Sequence, residues 1–259
     1  MAEINLRQVA KTYFSAVPVR ALDSVDLDIA EGEFVALLGP SGCGKSTLLN
    51  ILAGFEGASE GSALLDGGAI GKPGPDRGVV FQEAALFPWL TVWENVVFGP
   101  KMQGVPRSEY EDRAREMLAT VGLKDFAQSY PAQLSGGMRQ RVGIARVLVM
   151  QPRALLMDEP FGALDAQTRM AMQELLLTVW EKLNTTVVFV THDIDEAILL
   201  ADRVCVMTAR PARIGREIAI TLPRPRSIDD LTTPEFTRYK AEIMAEMRSA
   251  HRQAETQAA

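Results

Sequence analysis

A glycine-rich segment with one lysine is the part of this chain best suited to chemistry. Its nine residues are Gly39, Pro40, Ser41, Gly42, Cys43, Gly44, Lys45, Ser46 and Thr47. Glycines at this spacing let the backbone fold around a polyphosphate and turn its N–H groups toward the oxygens. The ammonium of Lys45 can reach the outer phosphates, and the Ser46 hydroxyl can ligate Mg²⁺. The segment therefore predicts a nucleoside triphosphate site with Mg²⁺ as cofactor.

The residues on either side of this loop support that interpretation. The apolar run Phe34–Leu38 precedes the loop and predicts a buried strand, while residues 46–52 predict a helix. The positive end of the helix dipole would complete an anion site. The alternative is a Gly/Ser-rich turn without a ligand, which this order of strand, loop and helix disfavours.

Two carboxylates, Asp158 and Glu159, follow the apolar residues 154–157 and are candidates for the reaction. The first can help to hold Mg²⁺, and the second can polarise an attacking water. An apolar strand that ends in Asp-Glu is also a common transition from strand to loop. This pair alone therefore leaves both interpretations open.

Apolar periodicity predicts the elements that must position these groups. Continuous apolar runs at 78–81, 154–157, 186–190 and 204–207 are typical of strands covered on both faces, as in a parallel sheet between helices. Alternating patterns near residues 4–6 and 25–29 predict half-buried antiparallel strands. Helical spacing predicts an insertion at 108–121, and Thr233-Pro234 predicts the start of a last amphipathic helix.

The totals limit the class of protein. The 259 residues are 47% hydrophobic and 23% charged, an ordinary globular composition, without a run of the roughly 18–20 apolar residues that cross a bilayer. The first residues lack the pattern of a secretory signal, and Cys43 and Cys205 suit neither a disulfide framework nor a metal site. The net charge of −6 argues against a nucleic-acid partner. We therefore expect a cytoplasmic protein.

A serine followed by two glycines is the most specific feature of the middle of the chain. The segment consists of Leu134, Ser135, Gly136, Gly137 and Met138. Ser135 suits a helix N-cap, but capping alone does not explain two glycines at helix-unfavourable positions. Together with the phosphate loop, this segment resembles the LSGGQ signature of the ATP-binding cassette (ABC) ATPases, with Met138 in place of Gln. In that family the signature binds the γ-phosphate held by the opposite subunit.

The resemblance extends over nearly the whole chain and implies roles for further residues. Gln82 matches a glutamine that contacts Mg²⁺ and the attacking water, and His192 matches a switch histidine that holds the γ-phosphate. Asp165 matches the D-loop aspartate, with Gly162 where many members carry serine. Taken singly, Gln82 and His192 are also compatible with ordinary residues at strand ends.

Tyr13 stands where the family stacks an aromatic ring on adenine. Its neighbour Phe14 is an alternative for that contact, and a plain core aromatic is another.

The resemblance implies an α/β fold. Its parts would be a RecA-like P-loop NTPase core with a mostly parallel sheet, an N-terminal antiparallel β layer and a helical signature subdomain. We expect a single ABC ATPase domain with the core at 1–82 and 152–222, the helical subdomain at 83–151 and a C-terminal helical tail at 223–259. Because loop and signature lie on opposite sides of a nucleotide, a second copy or a paralogous cassette would complete each ATP site.

Three segments, residues 87–92, 157–165 and 207–214, resemble the nitrate/sulfonate/taurine branch of bacterial importers. That branch implies a cassette on the inner face of the membrane that drives uptake of a small anionic solute. Its partners would be a separate permease and, indirectly, a periplasmic binding protein. The permease would dock in a groove near the apolar segment from Glu83 to Trp89, for which packing between subdomains is the alternative. A lipid-trafficking or export cassette, or an ABC ATPase outside transport, is the rival function.

Arginines are concentrated near the end of the chain, at Arg210, Arg213, Arg216, Arg224 and Arg226. A solvated surface is the simpler interpretation, and contact with anionic lipid headgroups is the alternative.

Overall fold

The computed structural model describes residues 2–14, 16–183 and 185–258, and for residues 251–258 the backbone alone. The strands are β1 Ile4–Tyr13, β2 Val19–Ile29, β3 Phe34–Leu38, β4 Glu60–Leu65, β5 Gly68–Ala69, β6 Arg77–Val80, β7 Ala154–Asp158, β8 Thr186–Thr191, β9 Arg203–Met207 and β10 Ile214–Ala219. The helices are α1 Lys45–Ala53, α2 Val92–Met102, α3 Arg107–Thr120, α4 Gly136–Leu148, α5 Ala166–Leu183, α6 Ile194–Leu200 and α7 Pro234–Ala258. Short 3-10 turns occupy Lys124–Phe126, Pro131–Gln133 and Ile228–Thr232.

A six-stranded sheet forms the centre of the fold in the order β10-β9-β3-β8-β7-β6. Its strands pair in parallel except for the antiparallel edge pair of β10 with β9. Every residue of β3 and of β8 is buried, because helices cover both faces of the sheet. The predicted α/β fold with a mostly parallel sheet is therefore confirmed.

The alternating N-terminal pattern produces a second, antiparallel sheet in the order β2-β1-β4-β5. Ile4, Leu6 and Leu27 point into a core that also contains Leu48 and Leu49 of α1. The predicted β layer is therefore confirmed, and its apolar face packs on the helix that follows the phosphate loop.

Helices α2, α3 and α4 lie in sequence between β6 and β7. The helix predicted at 108–121 spans Arg107–Thr120. Ser135 caps α4 as predicted, because its Oγ accepts a hydrogen bond from the amide of Met138 at 3.2 Å. The division of the chain into 1–82 with 152–222, 83–151 and 223–259 stays a prediction, and Ala259 lies outside the described residues.

The last helix, α7, packs back on the core through Phe236, Tyr239 and Ile243, which are at most 4% exposed. None of the described helices combines the length and the apolar character that a membrane crossing requires.

The expectation of a solvated surface is wrong for Arg226, which is only 5% exposed. Its guanidinium donates hydrogen bonds to the carbonyls of Ile198, Leu199, Ala201, Ile220 and Leu222. Three of these carbonyls lie at or just after the end of α6, where a helix leaves carbonyls without partners, and the planar fork of an arginine satisfies several at once.

Candidate functional site

Parallel pairing brings the predicted site residues to one edge of the central sheet. Strand β8 lies between β3 and β7, so the carboxyl ends of all three strands meet. The phosphate loop follows β3, Asp158 ends β7, and His192 follows β8. In open parallel sheets this is the edge at which ligands bind.

The phosphate loop needs glycine at specific positions. Gly42 and Gly44 have φ angles of 70° and 134°, in the region that favours glycine. A Cβ on Gly44 would lie 2.9 Å from Cδ2 of Leu22, so a side chain there would also collide with the β layer. The loop then leads directly into α1, and a helix N-terminus is a position that suits an anion.

Lys45 is already held inside the loop. The residue is 5% exposed, and its Nζ donates to the carbonyl oxygens of Gly39 at 2.8 Å and Pro40 at 3.0 Å. Both partners are neutral carbonyl oxygens, so neither is a counter-ion that would compete with a phosphate for this side chain.

Ser46 and Asp158 form the pair predicted to hold Mg²⁺. The Ser46 hydroxyl donates to Oδ1 of Asp158 at 3.1 Å across 112 positions of sequence. Burial raises the pKa of the Asp158 carboxyl, and the charge of Glu159 adds to the rise, while Ser46 and Lys45 oppose it. A hydroxyl and a carboxylate are oxygen ligands of the kind that Mg²⁺ prefers, so these residues fit the ion.

Glu159 and His192 are in direct contact. Nδ1 of His192 lies 3.0 Å from Oε2 of Glu159. Glu159 has a φ of 44°, an uncommon backbone conformation for a residue with a side chain, and one that is often found at functional sites. A cavity of about 20 Å³ adjoins both side chains, which is room for about one water.

Gln82 lies on the Glu159 side of the site. A Cβ on Gly162 would be 3.2 Å from Nε2 of Gln82 and 3.7 Å from Oε2 of Glu159. A side chain at position 162 would therefore be in contact with both the amide and the carboxylate. Glycine stands here where many members of the family that the chain resembles carry serine.

The sequence pattern did not reveal a buried carboxylate behind His192. Glu196 is 5% exposed and accepts hydrogen bonds from Oγ1 of Thr191 at 2.6 Å and from Nε2 of Gln173 at 3.1 Å. Burial raises the pKa of the Glu196 carboxyl. Because Thr191 precedes His192 directly, this network fixes the backbone that carries the histidine. A charged residue among the apolar positions that follow His192 was the only signal for it.

Tyr13, which is predicted to stack on adenine, lies beside the phosphate loop. Its hydroxyl donates to Oε2 of Glu56 at 2.7 Å and lies 3.3 Å from Oγ1 of Thr47. Tyr13 is 37% exposed and Phe14 is 84% exposed, so neither ring is a core aromatic.

The signature segment lies next to the D-loop. Oδ1 of Asp165 accepts a hydrogen bond from the amide of Thr168 at 3.0 Å. A Cβ on Gly137 would lie 2.4 Å from Cγ2 of Thr168, so the glycine allows α4 and α5 to approach each other. Among the described residues, no hydrogen bond or ion pair joins residues 134–138 to the phosphate loop. Within the described part of one chain, the two segments are thus not bonded to each other.

A cavity of about 460 Å³ begins at Gln82, and residues 82–86 form one wall of it. Pro131, Gly136, Arg139, Gln140, Ala163 and Leu164 line the remainder.

The two aromatic rings of the neighbouring segment differ in their surroundings. The ring of Phe87 packs on Phe98, with centroids 4.5 Å apart, and under the guanidinium of Arg146. Trp89 is 69% exposed. Packing therefore accounts for Phe87 and leaves most of the Trp89 ring open to solvent.

Comparisons with known proteins agree with this geometry. Residues 22–162 match the sequence profile of the family described as ABC transporter. The taurine import ATP-binding protein of Rhizobium johnstonii is 51% identical over 238 residues, which cover 89% of this chain and 90% of that protein. The nitrate import ATP-binding protein of Synechocystis sp. is 47% identical over 236 residues, 89% of each chain.

The fold agrees with that of a solved cassette. The dimeric post-hydrolysis state of the ATP-binding cassette MJ0796, bound to ADP and Pi, superposes with a TM-score of 0.73 at 36% identity. The match covers 85% of this chain and 100% of that one. The chain described here therefore belongs to the ABC transporter family, as an ATP-binding cassette that hydrolyses ATP.

Proposed function

We propose that this cassette is the ATPase subunit of a bacterial ABC importer and drives uptake of a small anionic solute of the nitrate, sulfonate or taurine type. The observation that supports import most directly is the similarity, along most of the chain, to proteins named for taurine and nitrate import. The cassette would act from the inner face of the cell membrane, together with a separate permease and a periplasmic binding protein.

Charge neutralisation explains the proposed roles in ATP binding. A triphosphate needs a strong positive field, which Lys45 and the amides of the phosphate loop provide. Ser46, Asp158 and Gln82 would hold Mg²⁺, which supplies further positive charge to the phosphates when bound. Tyr13 would stack on adenine, with its hydroxyl already anchored at Glu56 and Thr47.

Hydrolysis needs a positioned water and a fixed γ-phosphate. Glu159 would polarise the water, and its contact with His192 would restrict the orientation of the carboxylate. His192 would hold the γ-phosphate, and Gln82, whose amide lies near Gly162 and Glu159, would orient the water. In these roles the side chains position the reacting groups and supply charge, which are the two main requirements of phosphoryl transfer.

Among the described residues, no bond joins residues 134–138 to the phosphate loop of the same chain, which supports an ATP-driven dimer. Ser135 caps α4 with an exposed side chain, so the amides of Gly136 and Gly137 remain at a helix N-terminus that suits an anion. A second copy or a paralogous cassette would supply this surface to the ATP on the first. Asp165, which directly precedes α5, would lie at the same interface.

The cavity beside residues 82–86 is the proposed docking groove for the permease. Gln82 itself lines this cavity, together with residues 83–86. A permease helix inserted there would therefore contact the segment that carries Gln82. The exposed ring of Trp89 offers a large apolar anchor close by.

The catalytic assignment is tested with Glu159→Gln. We expect this variant to bind Mg-ATP, to lose at least about a hundredfold in turnover, and to run as a dimer in size-exclusion chromatography only with Mg-ATP. Glu181→Gln, an exposed position of α5, is the matched control. Residual turnover at the native rate, with unchanged mass, would refute the role of Glu159.

The transport assignment is tested by uptake in the cell of origin. Chromosomal Glu159→Gln should abolish accumulation of labelled taurine, an alkanesulfonate or nitrate, while uptake of an unrelated sugar remains normal. Normal uptake of all three solutes, combined with altered lipid distribution or sensitivity to DNA damage, would exclude import and favour a rival function. A permease gene and a binding-protein gene beside the cassette gene would support import independently.

A further inference from the structure

The turn that follows β9 has no role in the site described so far. It comprises residues 208–213 and includes the first arginines of the basic stretch. Nη2 of Arg210 donates a hydrogen bond to the carbonyl oxygen of Gly42 at 2.6 Å, across 168 positions of sequence. The turn is thus bonded to the phosphate loop by a charged group.

The base of this turn is firmly fixed. The amide of Ala212 donates to the carbonyl of Ala21 at 2.9 Å, and the amide of Asp23 donates to the carbonyl of Ala212 at 2.9 Å. Ala212 is completely buried, and its Cβ lies 3.5 Å from where a Cβ on Gly44 would be. Oγ1 of Thr208 closes the turn, because it accepts a hydrogen bond from the amide of Arg213 at 2.9 Å. Arg210 therefore extends from an anchored support.

Holding the carbonyl of Gly42 orients the amide that follows it. The C=O of Gly42 and the N–H of Cys43 belong to one planar peptide unit and point in opposite directions. Gly42 has a positive φ, and glycine has more backbone freedom than any other residue type. Part of that freedom must be lost when the loop closes on a phosphate. A bond to its carbonyl removes part of this freedom before the ligand arrives.

The charge of Arg210 also reaches both sides of the nucleotide site. Burial raises the pKa of the Tyr13 hydroxyl, and the positive charge of Arg210 is among the effects that oppose the rise. Burial likewise raises the pKa of the Cys43 thiol, again against an opposing effect of Arg210. The positive charge of Arg210 thus acts on Tyr13 as well as on the phosphate loop that it contacts.

We propose that Arg210 is a positioning residue for ATP: it restrains the Gly42–Cys43 peptide of the phosphate loop before ATP binds, and it adds positive charge beside the triphosphate. The proposal rests on the nucleotide site proposed above, and extends it to a residue that the phosphate loop itself does not contain. Preorganisation lowers the cost of ordering the loop on binding, so the effect falls on affinity more than on the chemical step.

The test compares Arg210→Ala and Arg210→Lys with the native chain. Arg216→Ala is the matched control, because Arg216 is an exposed arginine of the same stretch whose partners are Glu242 and Glu246 on α7. We expect Arg210→Ala to raise the Kd and the KM for Mg-ATP about five- to tenfold and to change kcat less than about twofold. Arg210→Lys keeps the charge without the fork and should recover part of the affinity.

Amide hydrogen exchange of the nucleotide-free protein gives a readout that does not depend on turnover. Exchange within residues 39–47 should become several times faster in Arg210→Ala and stay native in Arg216→Ala, with an unchanged Tm in both variants. A Kd within twofold of native together with unchanged exchange would overturn the proposal. So would an equal loss of affinity in Arg216→Ala.

Failure of the nucleotide site itself would look different. In that case the native chain would not bind Mg-ATP, or Lys45→Ala would bind Mg-ATP with the native Kd. If the native chain binds Mg-ATP, Lys45→Ala does not, and Arg210→Ala equals the native chain, the nucleotide site stands and the role of Arg210 falls.

Discussion

Oε2 of Glu159 and Nδ1 of His192 lie 3.0 Å apart although 33 residues separate them in sequence. Parallel pairing of β7 with β8 brings their carboxyl ends side by side, and the two residues stand directly after those ends. The contact is therefore a product of sheet register, and it places a carboxylate and an imidazole at one edge of the sheet.

This pair is expected to matter for turnover and little for stability. The side chains of His192 and Glu159 are 59% and 26% exposed, and exposed pairs contribute little to folding. His192→Ala should lower kcat about a hundredfold and leave Tm within about 2 °C of native. Steady-state kinetics and calorimetry check both, with the exposed Lys182→Ala as control. A kcat within threefold of native would contradict the role of His192.

Asp158→Asn should stabilise the nucleotide-free protein while it removes Mg-ATP binding. Burial raises the folded pKa of Asp158, so the native state keeps the proton to higher pH than the unfolded state does. The charged carboxylate therefore costs stability as the pH rises from its ordinary pKa through its folded value, and the full cost is present above that value. Asparagine can still accept the hydrogen bond from Ser46 without the charge.

The measurement for Asp158→Asn is Tm against pH, with and without Mg-ATP. We expect Tm of the variant to exceed native by about 1–3 °C near pH 8 and by less near pH 4, and the rise on adding Mg-ATP to be lost. A lower Tm than native at pH 8 would show that the carboxylate stabilises the empty site.

Gly137→Ala and Gly136→Ala should have opposite effects on stability. A Cβ at 137 would lie 2.4 Å from Cγ2 of Thr168, whereas a Cβ at 136 meets only the end of Arg139 at 4.0 Å. Overpacking costs about 1–3 kcal/mol, while alanine in an open helical position gains about 0.5–1 kcal/mol over glycine. Urea unfolding should therefore show a lower midpoint for Gly137→Ala and an equal or higher one for Gly136→Ala.

A double variant identifies the cause of that loss. Thr168→Ser removes the colliding methyl group, so Gly137→Ala with Thr168→Ser should recover most of the stability lost in Gly137→Ala alone. Additive effects of the two changes would mean that the helix approach is limited by something other than Thr168.

Arg226→Met should destabilise the fold by about 2–4 kcal/mol, because it leaves several buried carbonyls without donors. Burial lowers the pKa of Arg226 to about 10, so the guanidinium is still charged at neutral pH. Arg226→Lys should recover only part of the lost stability. The three donors of lysine are on one nitrogen, so they cannot reach all the carbonyls that surround the planar guanidinium. Chemical unfolding checks this, with the exposed Arg216→Met as control; equal effects of the two methionine variants would contradict it.

The elements around the phosphate loop were predictable because their patterns are local. Phe34–Leu38 is continuously apolar and became a strand at those bounds, and Ser135 caps α4 as its side chain allows. The strand predicted at 78–81 lies at Arg77–Val80, and Phe81 remains 41% exposed, since hydrophobicity alone does not define where pairing ends.

Arg226 and Glu196 show where local patterns fail. A solvated arginine and a buried one have the same sequence signal, and only the carbonyls that converge on Arg226 from α6 and the segment after β10 account for its burial. Glu196 likewise depends on Gln173, a residue 23 positions away on another helix.

The sequence by itself determined the nucleotide motifs, the α/β class and the β layer, because each depends on residue types within a few positions of one another. Only the tertiary structure decided that Asp158 meets Ser46, that His192 meets Glu159, and that Arg210 reaches Gly42. These pairs depend on the order and register of the strands, which are long-range pairings that the local pattern of a single strand does not encode.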